Sequence, residues 1–399
     1  MPASLENLAE GVLAFQQRHL VTPLDASPDA TGFAELALSA FALQYRCIES
    51  YRSFCDRRGV RPETISNWRQ IPPVPTAAFK ELDLACAPPE RIFITSGTTE
   101  GRNRPGRHLV PRLDLYRAGA LAHFKRMVLP DGLQPRLIAL LADPTILQDS
   151  SLVQMVDWIR TDLCADNGIW LVKHDGFDPE RAQMEIETEA RLGQPLLLFG
   201  VRASFTALLD HLAATRATIL LPADSRVVDT GGPKGGRTLS DAGFLSACWH
   251  RLGIAGYQCL NEYGMTELGS QYYDDVLRER LDGSNSPRRK APPAWLATLA
   301  LDPNTLEPVP DGTPGLLAHF DLANIGSVLA VLTDDIGVLH GRRLTLRGRR
   351  EGAEPRGCAL ALADLLATKA PVDRVGEHAS LPVLALADVL GTKVPEHAP

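Results

Sequence analysis

The sequence lacks two features that would point to large or charged partners. Its longest apolar runs, such as Leu137 to Ala142, are far shorter than the roughly 20 residues needed to span a bilayer. It also lacks an excess of basic residues, because the formal net charge is -7. A negative protein has no general attraction to nucleic acid or to an anionic membrane. We therefore expect no membrane span, no nucleic-acid partner and a small ligand.

Paired cysteines and several enzyme motifs are also missing. The seven cysteines are scattered and form no C-x-x-C pair, so we expect neither disulfides nor a zinc site. Six of them are expected to be small buried hydrophobes. No G-x-S-x-G, H-E-x-x-H or G-K-[ST] pattern supports a hydrolase, a zinc peptidase or a Walker A loop. The N-terminus has no basic start and no apolar centre, so we expect no signal peptide and a cytoplasmic location.

What is present is ordinary globular composition, with 45% hydrophobic and 22% charged residues. Apolar residues at helical spacing predict helices over much of the first 70 residues. Apolar strand candidates follow, each leading into a helix candidate or a glycine turn, at Arg91–Ile94, 136–142, 195–200 and 225–232. This alternation predicts an α/β fold with a largely parallel sheet. The Pro-rich segment 71–75 is expected to be irregular, and residues 280–293 are expected to be a surface loop.

The character of the chain changes after Gly341, where six arginines crowd into fifteen residues before an Ala- and Leu-rich tail. We place a domain boundary near Gly348. The expected division is a large domain over residues 1–347 and a short C-terminal subdomain over residues 348–399.

The strongest local motif is Thr95-Ser96-Gly97-Thr98-Thr99-Glu100-Gly101, directly after a strand candidate. Small residues let the backbone close around an anion, and hydroxyl and N–H groups can then donate to phosphate oxygens. By itself the segment is also compatible with an exposed Ser/Thr/Gly turn.

Three weaker motifs follow. Asp229 to Arg237 contains a glycine turn that would let the backbone approach a flat ligand, or is an ordinary loop. Asn261 to Glu267 offers an aromatic ring, a hydroxyl and a carboxylate suited to Mg2+, or is simply a polar strand end. Leu332 to Gly337 offers a carboxylate at a strand end that could accept hydrogen bonds from ribose hydroxyls, or is a turn.

In this order the four motifs resemble the adenylate-forming superfamily of acyl-CoA synthetases, adenylation domains and luciferases. The resemblance is closest to the acyl-protein synthetases of the bacterial luminescence fatty-acid reductase system. Finer matches include Phe79-Lys80, Ser150-Ser151-Leu152 and Arg356-Gly357-Cys358. The resemblance implies a large α/β adenylate-forming domain with mostly parallel sheets flanked by helices, and a shortened C-terminal subdomain. It also implies ATP-dependent activation of a fatty or aromatic carboxylic acid, with ATP and Mg2+ as cofactors.

The resemblance implies a role for each matching residue. ATP phosphates would be held by Thr95, Ser96, Gly97, Thr98 and Thr99. Adenine would be lined by Gly231 and Gly232 and covered by Tyr263 in the Tyr263-Gly264 turn, and Asp335 would bind ribose. Thr266 would meet the α-phosphate, Glu267 would hold Mg2+, and Arg349 would be the hinge arginine.

The chain also departs from the superfamily pattern. Glu100 stands where a glycine is usual, arginines replace the lysine expected after the loop, and only residues 358–399 follow Gly357. Most of the superfamily has a full C-terminal domain with a catalytic lysine. The acyl group would pass to Cys358, which lies among arginines that favour a thiolate, and then to a partner protein. Alternatively, Cys358 begins the apolar run 358–362 and is simply buried. Transfer to CoA or a carrier-protein thiol is the alternative, and a nucleotide- or acyl-binding protein without turnover is the third hypothesis.

Overall fold

The computed structural model describes residues 4–95, 105–231, 239–284 and 286–349 of the protein. The helices, numbered in chain order, are α1 Leu5–Arg18, α2 Pro28–Thr31, α3 Phe33–Cys47, α4 Glu49–Arg57, α5 Leu113–Val128, α6 Ser151–Leu163, α7 Pro179–Arg191, α8 Arg202–Ala214, α9 Asp241–Leu252 and α10 Val276–Leu281. The strands are β1 Val74–Pro75, β2 Arg91–Ile94, β3 Arg107–Val110, β4 Arg136–Ala142, β5 Ile169–Lys173, β6 Gly176–Phe177, β7 Leu196–Val201, β8 Arg226–Thr230, β9 Cys259–Tyr263, β10 Tyr272–Asp274, β11 Lys290–Ala291, β12 Leu296–Leu301, β13 Pro314–Asp321, β14 Ala330–His340 and β15 Arg343–Arg349.

One large mixed sheet organises the described residues. Its strand order is β12-β13-β14-β15-β11-β10-β9-β8-β7-β4-β5-β6, and β1 pairs with β14. Strands β5, β4, β7, β8 and β9, neighbours in that order, pair parallel to one another. From β9 through β10, β11, β15, β14 and β13 to β12, each neighbouring pair is antiparallel. The expected parallel α/β sheet is therefore confirmed for its central part, and an antiparallel part extends it.

Alternate residues of β4 show how the parallel part is buried. Leu137, Ala139 and Leu141 pack with α5 and α6, whereas Ile138 and Leu140 pack with α7, α8 and α9. Because both faces are covered by helices, the strand reads as a continuous apolar run rather than an alternating one. This explains why the sequence signal of β4 is strong.

The N-terminal helices were predicted from their spacing and are confirmed. Helix α1 begins after Ser4, whose hydroxyl accepts a 3.2 Å hydrogen bond from the amide of Asn7. Its apolar stripe packs with α3, α4 and strands β12 to β14 in one core. None of the helices in the described part of the chain has the length and hydrophobicity of a membrane span.

Several local predictions were wrong in detail. The Pro-rich segment is not wholly irregular, because Val74 and Pro75 form β1, a two-residue strand at which proline is tolerated. The sequence pattern of residues 256–260 predicts a strand, but Gly256–Gln258 form a 3-10 turn, so β9 starts only at Cys259. Lys290 and Ala291 of the expected surface loop are buried in β11. Cys47 is exposed, because the buried stripe of α3 passes through Gln44 and continues at Ile48.

The predicted domain boundary lies inside β15. Gly348 pairs with Ile336, and Arg349 pairs with Asp335, so the end of the described chain is still part of the sheet. Residues 350–399 lie outside the described residues. The division into residues 1–347 and 348–399 therefore stays a prediction.

Candidate active site

The ends of two neighbouring parallel strands bring two of the predicted nucleotide contacts together. In the register of the sheet, Thr230 at the end of β8 lies beside Glu262 near the end of β9. Gly231 and Tyr263 come directly after them in the chain. Gly231 has φ +77, a backbone conformation that glycine adopts without strain, so the chain can turn sharply here. Carboxyl ends of parallel strands are where open α/β sheets bind ligands.

Tyr263 is held at the site by a hydrogen-bonded group. Its phenol donates to Asp335 Oδ2 over 2.8 Å and lies 3.2 Å from His319 Nε2. His319 in turn is held by the hydroxyl groups of Tyr272 and Thr298, each 2.9 Å from Nδ1. Burial lowers the pKa of His319 to about 3, so the ring is neutral. The Tyr263 ring is thereby fixed in one orientation.

Asp335 does not lie at a strand end, as the sequence had indicated, but inside β14. The strand continues because β15 pairs along it as far as the Asp335 and Arg349 pair. Arg349 Nη2 donates to Asp334 Oδ2 over 3.3 Å, and its Nε lies 4.0 Å from Asp335 Oδ1. Arg349, the expected hinge arginine, therefore lies next to Asp335, the carboxylate expected to bind ribose.

Glu267 lies half-buried in the segment that connects β9 and β10. Burial raises the pKa of its carboxyl to about 7, the nearby charge of Asp335 acts in the same direction, and the charges of Arg349 and Lys80 oppose them. Tyr263, Asp335, Arg349 and Glu267 are thus brought into one neighbourhood. Burial makes this carboxylate costly to ionise without a nearby positive charge. It is therefore suited to bind a cation or a metal-bound ligand.

Thr95 closes the base of the β2–β3 hairpin, whose connection carries most of the predicted phosphate loop. Its amide donates to the Gly106 carbonyl over 2.9 Å, and its hydroxyl accepts from the Gly106 amide over 2.8 Å. Ser96, Gly97, Thr98 and Thr99, like Gly232 and Cys358, lie outside the described residues. The hairpin nevertheless fixes where that loop leaves and re-enters the structure.

Gly264 is required by its close contact with a buried carboxyl. A Cβ at this position would lie 2.4 Å from Glu262 Oε1, far inside any normal contact. Glu262 is itself 4% exposed, and its other oxygen accepts a hydrogen bond from the Thr230 hydroxyl. A side chain at residue 264 would therefore force the buried Glu262 carboxyl or the backbone of the turn to shift.

Sequence reasoning assigned no role to Lys80, although Phe79-Lys80 was one of the family matches. Lys80 lines an open cavity of about 240 Å³ together with Ser50, Glu81, Asp83 and Arg107. Arg107 pairs with Asp83 there, while the charge of Lys80 acts on Glu267. Sequence reasoning also missed His108, whose Nδ1 lies 2.7 Å from the Thr266 carbonyl. Neither position has a local pattern that distinguishes it from an ordinary lysine or a buried histidine.

Glu267 is a candidate ligand for Mg2+ that binds together with a nucleotide. Within the described ranges, no three His, Cys, Asp or Glu side chains converge as a metal site. Mg2+ is commonly bound by one or two carboxylates plus substrate phosphates. Lys80, whose charge acts on Glu267, lies beside Gly106 at the base of the proposed phosphate loop. Glu267 is therefore a carboxylate of that kind.

Comparison with known proteins gives the family. The model of the family described as acyl-protein synthetase, LuxE, matches residues 21–367. The long-chain-fatty-acid–luciferin-component ligase of Vibrio harveyi is 22% identical over 349 residues, which cover 84% of this chain and 88% of that protein.

The fold agrees with that of a solved structure. A 2-hydroxyisobutyryl-CoA ligase, solved in an open conformation with 2-HIB-AMP and CoA, matches with a TM-score of 0.56 and 14% identity, over 79% of this chain and 74% of its own. Against ATP-bound MatB of Rhodopseudomonas palustris, 18% identical, the match has a TM-score of 0.44 and covers 65% of this chain but only 47% of that protein. The chain belongs to the LuxE acyl-protein synthetase family and is an ATP-dependent ligase that activates a carboxylic acid and passes on the acyl group.

Proposed function

We propose that this protein uses ATP and Mg2+ to convert a long-chain fatty acid into an acyl-adenylate and then transfers the acyl group to a thiol. The observation that carries the proposal is the grouping of Tyr263, Asp335 and Glu267 around one end of the sheet in a chain of this family. The choice of a long-chain acid and of a partner protein as final acceptor follows the name of the Vibrio harveyi relative.

Apart from residues 96–99, each residue that we assign to ATP lies within the described part of the chain. The Tyr263 ring covers adenine beside the glycine turn at Gly231, and Asp335 accepts hydrogen bonds from the ribose hydroxyls. Thr95 begins the loop of residues 95–99 that surrounds the phosphates, and the Thr266 hydroxyl donates to the α-phosphate. Glu267 holds Mg2+, which supplies neutralising charge to the phosphates when bound.

Activation needs positioning and charge neutralisation rather than an acid or base. The substrate carboxylate oxygen forms a bond to the α-phosphorus, and the bond from that phosphorus to the bridging oxygen breaks, releasing pyrophosphate. Both reactants are anions, so donors and cations around the phosphates lower the barrier. Thr266 and Lys80 are the groups of this chain that we assign to that task.

Transfer is a second displacement. A thiolate attacks the acyl carbon, a thioester bond forms, and AMP leaves with the electrons of the broken acyl–phosphate bond. Cys358 is the proposed first acceptor within the chain, because arginines that precede it in the sequence, such as Arg356, would favour the thiolate. A partner protein then takes the acyl group. Direct delivery to CoA or to a carrier-protein thiol is the alternative outcome.

The test is a panel of radiolabelled fatty, aromatic and amino acids, each incubated with the full chain, ATP and Mg2+. We expect pyrophosphate release to be greatest with long-chain fatty acids and label to appear on the protein. Label released rapidly by added CoA would favour the CoA ligase instead. Absence of pyrophosphate release with every acid would contradict the proposal and favour a binding protein without turnover.

A further inference from the structure

The segment that carries Thr266 and Glu267 has little structure of its own. Residues 264–271 belong to no helix or strand, and the backbone hydrogen bond within them joins the Leu268 amide to the Met265 carbonyl over 3.1 Å. Side chains on an irregular segment are placed only as well as its backbone is held. The position of the proposed metal carboxylate therefore depends on contacts from elsewhere in the chain.

Two such contacts hold consecutive carbonyl groups. His108 Nδ1 lies 2.7 Å from the carbonyl oxygen of Thr266, and Asn324 Nδ2 donates to the carbonyl oxygen of Glu267 over 2.8 Å. A carbonyl oxygen only accepts, so Nδ1 carries the proton in this contact. His108 is 2% exposed and Asn324 is 3% exposed, which protects both bonds from competition by water.

Both side chains line one small cavity behind the segment. Its walls also include Leu268 and Gly269, and its volume is about 10 Å³, enough for one water molecule at most. The buried Nε2 of His108 has no hydrogen-bond partner among the described residues. Burial lowers the pKa of His108 to about 4, so the ring stays neutral, and its single proton remains on Nδ1.

Each contact reaches back to a different part of the protein. His108 lies in β3, two residues after Gly106, which closes the hairpin with Thr95 at the start of the proposed phosphate loop. Asn324 lies in the turn between β13 and β14, and its carbonyl accepts from Gln44 Nε2 of α3 over 3.2 Å. A shift of the β2–β3 hairpin would therefore displace Thr266 through its hydrogen bond with His108.

We propose that His108 and Asn324 are positioning residues that clamp the backbone of Thr266 and Glu267. His108 thereby couples the β2–β3 hairpin to Glu267, the proposed Mg2+ ligand. This inference rests on the proposed function. Neither side chain touches the reacting atoms. They act by fixing the direction in which Thr266 and Glu267 present their side chains, so their loss should lower turnover more than ATP affinity.

The chain offers a matched control in His123. This histidine is also buried, 1% exposed, and its Nε2 lies 3.0 Å from the carbonyl of Ala291 in β11. Burial lowers its pKa to about 3, so it too is a neutral ring bonded to a backbone carbonyl. Loss of this contact should cost stability without reaching the proposed site.

The experiment compares His108→Leu, His108→Asn and His123→Leu in acid-dependent exchange of pyrophosphate into ATP. We expect His108→Leu to lower kcat at least about tenfold while the KM for ATP changes less than about threefold. His108→Asn, which keeps a donor near the position of Nδ1, should recover most of the rate. Equal residual rates in His108→Leu and His123→Leu, after correction for folded fraction, would overturn the clamp. So would a His108→Asn variant no better than His108→Leu.

Two further measurements keep the test decisive. If His108→Leu does not fold, the similarly sized Asn324→Leu variant replaces it, because a leucine side chain cannot donate to the Glu267 carbonyl. Amide hydrogen exchange of residues 264–271 needs no substrate. Faster exchange there in the clamp variants than in His123→Leu supports the clamp even if the wild type lacks pyrophosphate exchange, a result that would defeat the proposed function alone. Unchanged amide exchange overturns the clamp.

Discussion

The phenol of Tyr263 donates a 2.8 Å hydrogen bond to the carboxylate of Asp335, which joins the strand that carries the proposed adenine contact to the strand that carries the proposed ribose contact. The two residues are 72 positions apart in the chain. Because of this hydrogen bond, a substitution at either residue should alter the position of the other side chain.

We predict that Asp335→Asn raises the KM for ATP about tenfold, because a bond between a charged carboxylate and ribose contributes on the order of 1.5 kcal/mol or more. Tyr263→Phe keeps the ring and loses only the phenol, so its KM should rise less, about threefold. Initial rates of pyrophosphate exchange at varied ATP measure both. Wild-type KM values in both variants would show that the nucleotide binds elsewhere.

A second prediction concerns Gly264. Gly264→Ala places a Cβ 2.4 Å from Glu262 Oε1, and Glu262 is buried and hydrogen-bonded to Thr230. Relief requires a backbone or carboxyl shift, so we expect a loss of about 1 to 3 kcal/mol in the free energy of unfolding and a large loss of exchange activity. Gly256→Ala is the control, because nothing lies within 4 Å of an added Cβ there. Equal stability of the two variants in urea unfolding would argue against the contact.

The buried Glu262 predicts a pH dependence of stability. Burial raises the pKa of its carboxyl to about 7, from 4.5, while the Thr230 hydrogen bond opposes the rise. Between these values the folded state holds a proton that the unfolded state releases, so the unfolding free energy falls as pH rises from about 4.5 to about 7. The contribution is roughly 3 kcal/mol at most.

Glu262→Gln should reduce the slope of that part of the profile, and the remote Glu185→Gln on α7 should leave the slope unchanged. Urea unfolding at pH 5, 6, 7 and 8 measures the slope. Identical profiles for wild type and Glu262→Gln would mean that the carboxyl titrates at its ordinary pKa.

The sequence predicted the parts of this protein that local physics determines. The apolar runs of β4, β7 and β8 are local signals, and these strands begin and end within two residues of their expected positions. Asp335 was expected at a strand end, but it lies inside β14 because β15 folds back along that strand and pairs with it as far as Arg349.

In the candidate site, too, some residues could be predicted from the sequence and others could not. Residues within the motifs could be found from the sequence because the family pattern names them. The supporting contacts of His319 with Tyr263, and of His108 with Thr266, could not, because each joins elements far apart in the chain. A buried histidine carries no sequence signal of the carbonyl or phenol that it will meet.

Cys358 provides a prediction that rests on the sequence. Wild type incubated with ATP, Mg2+ and a radiolabelled long-chain fatty acid should carry protein-bound label that neutral hydroxylamine releases, as expected of a thioester. Cys358→Ser should lose that label while keeping pyrophosphate exchange, since adenylation precedes transfer. The exposed Cys47→Ser is the matched control and should label normally. Undiminished hydroxylamine-labile label in Cys358→Ser would exclude this acceptor.

The most direct measurement is exchange of labelled pyrophosphate into ATP by the full chain, with and without a long-chain fatty acid. Exchange occurs only if the enzyme forms an acyl-adenylate reversibly, and it requires neither a thiol acceptor nor a partner. We predict acid-dependent exchange in the wild type and a loss of at least about tenfold in Glu267→Gln, which corresponds to about 1.4 kcal/mol of transition-state stabilisation. A folded wild type that shows no exchange with any carboxylic acid, or a Glu267→Gln variant that exchanges at the wild-type rate, would contradict the account.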